Sequence, residues 1–436
     1  MVIIFIQMTF TKQIMLFVLL FSLGLIFYYP YLFVFFTQDD FIMLGQFSGS
    51  SFLQNIHRAF GPPEVTHWRP VDTLYFLISG TLFSQNYFLY HLATLLMHAV
   101  SAFMIFKIGS KGFASQRAGI TTALIYLTAS AFFHSIAWIS GNTTAIGFLF
   151  FTFAFYFYAQ GRKFLSVLFF LTSILASEAM IFGIALYWAW SSFFPKKQTS
   201  KRFLAGLTLA IGIFAAFRFL FLTPATTYDA YKFELSPKII PALKYYLLRI
   251  AGFGESGGDL IPSLLVLGSL ALVGYRAVFD FIQDRNRKFY LFAFLMILVG
   301  LFPFVLLPNH LAPYYMNISV WGLAMIFGIA ALRSKQLILA SVILMVIASY
   351  LNVGAIAQNS WVIKRAQISK SIISGIEKKN EQPGALLVFG DSEGFDSKEA
   401  YIALGTGKAI DWWFGDKNYR YCFKFQKDCL QQDSVR

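Results

Sequence analysis

Long apolar segments, separated by short polar connections, dominate the pattern of the chain. A helix needs about 20 predominantly apolar residues to cross a bilayer, and runs of that kind recur through most of the sequence. The clearest of them cover residues 14–36, 86–106, 261–279, 289–307, 314–332 and 337–355. This pattern predicts an all-α polytopic membrane protein.

The composition agrees with this prediction. Hydrophobic residues make up 57% of the chain and charged residues 13%, whereas soluble domains carry about 25% charged residues. The first apolar run lacks a small-residue cleavage site and is longer than the apolar core of a signal peptide. We therefore expect it to be retained as a membrane helix.

Lysine and arginine predict the orientation of the helices. The chain has 35 Lys and Arg against 21 Asp and Glu, a net charge of +14. In a membrane protein such an excess reflects basic cytoplasmic loops that face anionic lipid, so we expect no nucleic-acid partner. The short basic connections contain Lys107/Lys111/Arg117, Arg162/Lys163, Lys196/Lys197/Lys201/Arg202, Arg285/Arg287/Lys288 and Arg333/Lys335. Placing all of them in the cytoplasm predicts a cytoplasmic N-terminus and roughly eleven transmembrane helices.

Two segments differ from the membrane pattern. The first outer loop, residues 37–85, is long, and long ordered loops are usually functional. From residue 358 to residue 436 hydrophobicity falls and charge rises, and residues 385–389 are typical of a strand. We therefore divide the chain into a transmembrane domain, residues 1–357, and a small α/β extracytoplasmic domain, residues 358–436. A segment of this size is small for an independent core, so we expect it to pack on the membrane part.

The stretch around Asp39 and Asp40 is the main functional hypothesis. The pair ends the first apolar run, on the predicted non-cytoplasmic side, where charges are costly unless they face water, a pocket or a partner. The alternative is a polar cap on a membrane helix. His91 and His98 are seven residues apart and share one helical face. They either line a site or make hydrogen-bonded contacts between helices.

Several separated stretches resemble the polytopic lipid-phosphate-sugar glycosyltransferases of the GT-C class. The likeness is strongest to the O-mannosyltransferases that carry TPR repeats and to their repeat-free bacterial relatives. Those proteins have an acidic pair after the first helix, then W/Y-R-P-L, Y-H-L-x-N-L-L-L-H, A-W-x-S-G-R and S-K-E segments. The matching stretches here are Asp39-Asp40-Phe41, Trp68-Arg69-Pro70-Val71, residues 90–98, residues 137–142 and Ala176-Ser177-Glu178. The likeness weakens beyond about residue 190.

The chain departs from the pattern of that family at several positions. His134 stands where the family carries Glu, and Asn142 and Ser177 replace the basic residues of S-G-R and S-K-E. An expected Arg is missing beside Tyr314, and the TPR array is absent. The phosphate-binding residues of the family therefore do not carry over as a set, and protein O-mannosylation does not follow from the resemblance.

The resemblance implies a sugar donor carried on a polyprenyl or dolichyl phosphate. A carboxylate can take the proton of an acceptor hydroxyl as it attacks, and a single displacement inverts the anomeric centre. We expect inverting transfer, with Asp39 as the base and Asp40 as an orienting group or metal partner. Arg69 and then Arg218 are candidates to bind the leaving phosphate. Each of them is alternatively an arginine that anchors a helix end.

Further polar and aromatic residues are candidates for the acceptor pocket: His67, Trp68, His91, His134, Trp138 and Glu178. Their spacing is no recognisable metal signature. A divalent ion, Mg or Mn, stays open as a cofactor, with Asp40 and Glu178 as its ligands. For His98 and His310 we favour contacts between helices. The acceptor itself is a glycan, a lipid or a protein.

Two other functional classes stay open. A flippase, polymerase or transporter of lipid-linked sugars also needs basic and aromatic residues at the bilayer surface, although the sequence lacks the paired broken helices of inverted repeats. A non-catalytic membrane scaffold would need neither aspartate. We expect a bacterial inner membrane with the active site and the C-terminus in the periplasm. There Cys422 and Cys429 either form a disulfide or stay as two thiols.

Overall fold

The computed structural model describes residues 8–47, 50–61, 68–194, 201–221, 231–255 and 259–426. Most of these residues are helical. The first helices are α1 (Phe10–Tyr28), α2 (Asp39–Gly45), α3 (Phe52–Phe60), α4 (Pro70–Phe83), α5 (Tyr87–Gly112) and α6 (Gln116–Leu127). The segment expected to be the first outer loop therefore holds three helices, α2 to α4.

Local sequence signals explain where these helices begin and end. A 3₁₀ helix with Pro30 near its start, Tyr29–Phe33, follows α1 directly, because proline lacks an amide hydrogen and disfavours an α-helical residue before it. Ser51 and Gln54 form a capping box at the start of α3, which satisfies two otherwise unpaired amides. Pro70 occupies the first position of α4, where a missing amide costs nothing.

The middle of the chain alternates helices with tight 3₁₀ turns. Its helices are α7 (Phe133–Ala137), α8 (Thr143–Ala159), α9 (Lys163–Ala176), α10 (Ile184–Phe193), α11 (Lys201–Phe221) and α12 (Ile239–Ala251). Three 3₁₀ turns, Ser130–Phe132, Ile139–Asn142 and Glu178–Gly183, connect successive helices. His134, Trp138 and Asn142 are buried in the protein.

The remaining membrane-type helices are α13 (Leu260–Ile282), α14 (Arg287–Val305), α15 (Asn317–Ala330) and α16 (Lys335–Asn359). Six described helical segments are long and apolar enough to cross a membrane: Phe10–Phe33, Tyr87–Gly112, Ile139–Ala159, Leu260–Ile282, Arg287–Val305 and Lys335–Asn359. The pair Gln116–Leu127 and Ser130–Ala137 makes a seventh if its 45° bend lies within one span. The structure thus supports a helical membrane protein with fewer clear spans than the eleven expected from the charges.

Small residues let α6 pack closely between two neighbouring helices. A Cβ added to Gly119 of α6 would lie 2.7 Å from the carbonyl oxygen of Phe106 in α5. A Cβ added to Gly328 of α15 would lie 2.7 Å from the carbonyl oxygen of Ala118 in α6. Glycine at such contacts lets helix backbones approach, which is how membrane helices gain packing energy without a hydrophobic driving force.

The C-terminal segment contains α17 (Trp361–Lys379), β1 (Leu386–Phe389), α18 (Ser397–Ala403), α19 (Lys408–Trp413) and β2 (Arg420–Phe423). The two strands pair in parallel, with Leu386 opposite Arg420 and Phe389 opposite Phe423. Sequence analysis expected the first of these strands. Cys422 is disulfide-bonded, and Cys429 lies outside the described residues.

This segment does not bury its apolar side chains by itself. Its residues share one hydrophobic cluster with the chain before and within α2, α4 and α5. The ring of Trp412 lies 5.1 Å from that of Phe36 and 6.1 Å from that of Phe41, and the ring of Trp413 lies 5.3 Å from that of Phe35. The packing expected between the C-terminal segment and the membrane part is therefore present, and it centres on the residues that flank Asp39 and Asp40.

We predict that Gly328→Ala destabilises the protein, because the new methyl group meets a backbone carbonyl that cannot move aside. Overpacking of this kind costs about 1–3 kcal/mol of unfolding free energy, measured by denaturant or thermal unfolding in detergent. Gly274→Ala is the matched control, since nothing lies within 4 Å of its added Cβ in α13. Equal stability of the two variants would contradict the packing argument.

Candidate functional site

A tight turn after the first membrane helix places the acidic pair. Gln38 has φ 51°, in the left-handed region, and α2 begins at the next residue. The Thr37 amide donates a hydrogen bond to Asp40 Oδ2 at 2.9 Å. Because consecutive residues of a helix point about 100° apart, the side chains of Asp39 and Asp40 leave this turn in different directions and have different surroundings.

Asp40 is buried, with 1% of its surface exposed. Its Oδ1 atom accepts hydrogen bonds from both the amide and the hydroxyl of Ser140, each at 2.7 Å. Burial raises the pKa of Asp40 to about 7, against the opposing effect of the hydrogen bonds from Ser140 and Thr37. Both carboxylate oxygens are thus engaged with donors of the protein. Asp40 therefore anchors the 3₁₀ turn Ile139–Asn142 to the acidic turn.

Asp39 is only partly buried and is the more accessible carboxylate of the pair. Burial raises its pKa, while a hydrogen bond with the Gln38 side chain and the positive charge of Arg365 lower it. A carboxylate whose pKa moves upward toward neutrality is better matched to taking a proton from a hydroxyl. Of the two aspartates, Asp39 is the one with surface exposed to solvent.

Arg69, Glu178 and Arg218 form an ion-pair network. Arg69 Nε and Nη2 each donate to a different oxygen of Glu178 at 2.7 Å, a bidentate pair. Arg218 Nη2 lies 3.3 Å from Glu178 Oε2. Burial lowers the pKa of Arg69, but the negative charge of Glu178 and its hydrogen bonds raise it by more. The pKa of Arg69 is therefore raised. Two guanidinium groups thus bind one carboxylate, and Arg69 also lies within electrostatic reach of Asp72.

A buried polar layer joins this network to the acidic turn. Asp72 is 3% exposed, and its Oδ2 accepts a hydrogen bond from Thr143 Oγ1 at 3.0 Å. Its Oδ1 has no hydrogen-bond partner among the described residues. Burial raises the pKa of Asp72 to about 7, and Arg69 and Thr143 oppose that shift. Thr143 lies three residues from Ser140, so the Asp40 and Asp72 contacts hold the same short stretch of chain.

Aromatic residues complete the region between the two charged groups. Tyr231 lies within electrostatic reach of Arg69, Asp39 and Glu178, and burial raises its pKa. Its ring centre is 4.5 Å from that of His310, whose Nε2 lies 2.9 Å from Tyr315 Oη. Burial, and then the charge of Arg69, lower the pKa of His310. The site therefore draws on the first acidic turn, the start of α4, the 3₁₀ turn at Glu178, and the connections before α12 and α15.

Several residues expected in the acceptor pocket have other contacts. The His91 ring nitrogens lie 2.7 Å from Ile136 O and 2.9 Å from Val34 O, so His91 joins helices, the alternative left open by the sequence. His98 similarly contacts Leu127 O at 3.0 Å.

His134 Nδ1 lies 3.5 Å from Glu255 Oε1, and its Nε2 lies 3.4 Å from Ser360 Oγ. The Trp138 ring packs 5.1 Å from that of Trp361. Trp68 packs 6.1 Å from Phe214, and His67 lies outside the described residues.

The carboxylates expected as metal ligands do not fit a divalent cation in this arrangement. Both oxygens of Asp40 accept hydrogen bonds from protein donors, and both oxygens of Glu178 are bound by guanidinium groups. Among the described residues, no three His, Cys, Asp or Glu side chains converge as a metal-binding group. We derive no catalytic step through a metal.

Comparisons of the chain with protein-family models, with curated proteins and with solved structures find no match.

We predict that Asp72 makes stability depend on pH. Because its folded-state pKa of about 7 lies above the ordinary value, the folded protein holds the proton more tightly than the unfolded chain. Stability is then highest at acidic pH and falls as pH rises toward 7, by up to about 1.4 kcal/mol per pH unit for this group. Asp72→Asn has no ionisable carboxyl group at this position, so it removes the loss of stability that ionisation of Asp72 causes. We expect its gain in melting temperature over the wild type to be larger at pH 8 than at pH 5.

Asp284→Asn is the matched control, since the Asp284 side chain is 80% exposed. A gain for Asp72→Asn that is equal at both pH values would show that ionisation of Asp72 is not the cause.

Proposed function

We propose that the protein is an inverting glycosyltransferase that moves a sugar from a polyprenyl-phosphate donor to an acceptor hydroxyl on the extracytoplasmic face of a membrane. One observation carries the proposal: an accessible carboxylate, Asp39, shares a site with the guanidinium groups of Arg69 and Arg218, which Glu178 binds. Tyr231 lies within electrostatic reach of both. Such a pairing of a base with an anion site is what transfer from a lipid phosphate requires.

Asp39 takes the proton of the acceptor hydroxyl as its oxygen attacks the anomeric carbon. The bond between that carbon and the phosphate oxygen breaks, and the lipid phosphate leaves with the electron pair. One base and one displacement invert the anomeric centre. Asp40 does not reach the acceptor in this scheme. It holds Ser140 and Thr37, and so fixes the backbone from which Asp39 projects.

Arg69 and Arg218 stabilise the charge that develops on the departing phosphate. Glu178 holds both guanidinium groups in place, and the side chain of Arg218 is only 8% exposed. Preorganised donors act strongly where water is excluded, because they need no rearrangement at the moment of reaction. The retained carboxylate also keeps two neighbouring cations from repelling each other before the donor binds.

An apolar groove of about 740 Å³ supports a lipid-linked donor. It lies between α1, α13 and α16, and Phe27, Pro30 and Tyr31 line one wall of it. Those residues immediately precede the acidic turn. A polyprenyl chain needs apolar surface of this kind, next to the membrane helix that leads into the site.

We propose a GT-C-like architecture of eleven spans, which counts shorter helices together with the six long apolar segments. To the six long apolar segments it adds the bent pair Gln116–Ala137, the two shorter apolar helices α9 and α15, the helical stretch Glu178–Phe193, and α11. Lys107 and Lys111 then lie at the opposite end of α5 from the acidic turn, as a cytoplasmic location of basic residues requires.

We predict that Asp39→Asn lowers sugar transfer by about 10²–10⁴-fold, the range for loss of a general base. The measurement is transfer from a panel of radiolabelled polyprenyl-phosphate sugars by purified protein, which also identifies the sugar. Asp284→Asn, at an exposed position, is the control. Full transfer by Asp39→Asn would refute the proposed mechanism. Movement of lipid-linked sugar across vesicles, without transfer, would instead identify a transporter.

We predict that Arg69→Gln weakens binding of a polyprenyl phosphate on the order of 10–100-fold, because charge-assisted hydrogen bonds contribute about 1.5–3 kcal/mol. Equilibrium binding to the folded variant in detergent measures this change. Arg287→Gln removes an equal charge from a side chain that is 54% exposed, and should leave the affinity unchanged. Unchanged affinity in Arg69→Gln would remove Arg69 from the donor site.

A further inference from the structure

Gln38, in the acidic turn, makes hydrogen bonds with the C-terminal segment. The amide of Gln38 donates a hydrogen bond to Ala403 O, at the end of α18, at 2.8 Å. The side chain of Gln38 accepts a hydrogen bond from Arg365 Nη1 of α17, also at 2.8 Å. A Cβ added to Gly405 would lie 2.5 Å from Gln38 O. Gln38 is therefore held from three sides by a part of the chain more than three hundred residues away.

The conformation of Gln38 explains why such a hold is needed. Its φ of 51° and ψ of −115° lie in a region that glycine adopts readily and other residues avoid. A residue in such a conformation costs about 1–3 kcal/mol and persists only when the surrounding structure over-determines it. The neighbouring α2 begins at Asp39, so the conformation of Gln38 sets the direction in which the acidic pair leaves the turn.

Arg365 is itself fixed by two further contacts. Its Nε lies 3.3 Å from Glu399 Oε2, in the first turn of α18, and its guanidinium lies 5.2 Å from the Trp361 ring centre. The Arg365 side chain is 22% exposed. The planar guanidinium of Arg365 bonds the Glu399 carboxylate and the Gln38 side-chain amide while it stacks on the Trp361 ring. Lysine cannot make this set of contacts, because its ammonium group is not planar.

We propose that Arg365 is a positioning residue for the acidic pair: through Gln38 it holds the turn that presents Asp39. This inference rests on the proposed function for its effect on transfer. Its structural part, the hold on Gln38, stands on the contacts alone. The C-terminal segment is then a component of the active site and not an appended module.

The charges around Asp39 define what removal of Arg365 does. Asp40, Tyr231 and Tyr314 each lie within electrostatic reach of Asp39, and Arg365 is the cation that acts on it directly. A nearby cation stabilises a carboxylate, so Arg365 lowers the pKa of Asp39. Without Arg365 that pKa rises, and the acid limb of the pH–rate profile moves to higher pH.

The experiment compares Arg365→Ala, Arg365→Lys and Lys364→Ala in the full-length protein. Lys364 is the matched control, an exposed cation on the same helix. For Arg365→Ala we expect kcat to fall on the order of 100-fold, because the base is misplaced, and the acid limb to move up by about 1 pH unit. Arg365→Lys keeps the positive charge but loses the guanidinium contacts. We therefore expect kcat to fall while the acid limb of the pH–rate profile keeps its position. Lys364→Ala should match the wild type.

Hydrogen exchange at the Gln38 amide is a second readout that needs no activity. We expect Arg365→Ala to speed that exchange and Lys364→Ala to leave it unchanged. A wild-type kcat and pH profile in Arg365→Ala would overturn the proposal. If the wild type transfers no sugar, the proposed function fails separately. In that case, unchanged exchange of the Gln38 amide in Arg365→Ala would show that Arg365 does not hold the turn. Faster exchange in the same variant would support that role.

Discussion

The rest of the site depends on the buried carboxylate of Asp40. It receives three hydrogen bonds, from the Thr37 amide and from the amide and hydroxyl of Ser140. A buried charge is tolerated only when donors of this kind surround it. These bonds join the segment after the first membrane helix to the turn between α7 and α8. The bonded residues Asp40 and Ser140 are 100 positions apart in the sequence. The position of Asp39, and the distance between it and the arginine network, follow from that junction.

The two aspartates illustrate how one short motif divides its work. Asp40 is buried and accepts hydrogen bonds on both oxygens, so it holds the backbone, whereas Asp39 stays partly exposed beside Gln38 and Arg365. The arginine network shows a similar division, because Glu178 orients both Arg69 and Arg218. In both cases a carboxylate fixes the position of the groups to which the proposed function assigns the chemistry.

The sequence predicted the acidic pair, Arg69, Glu178 and Arg218, because their motifs and their positions at helix ends are visible in the order of residues. The convergence of Arg69 and Arg218 on Glu178 was not predictable, since hydrophobic periodicity defines single helices and not which helices touch. The charges predicted roughly eleven spans, whereas six described helical segments are clearly long and apolar enough to cross a membrane. Basic residues mark where helices are connected but not how long each helix is, and α9 and α15 are short. Gln38 and Arg365 were missed. A left-handed backbone conformation at a glutamine, and a hydrogen bond between residues 327 positions apart, leave no pattern in the local sequence.

The shared core between the C-terminal segment and the acidic turn has a consequence for biosynthesis. Phe36 and Phe41 pack on Trp412, which emerges from the ribosome long after them. The turn that follows α1 therefore stays without this partner until the C-terminal segment has been made. Its packing is coupled to synthesis of that segment, so a product truncated before Trp412 lacks the aromatic contacts that hold the acidic turn.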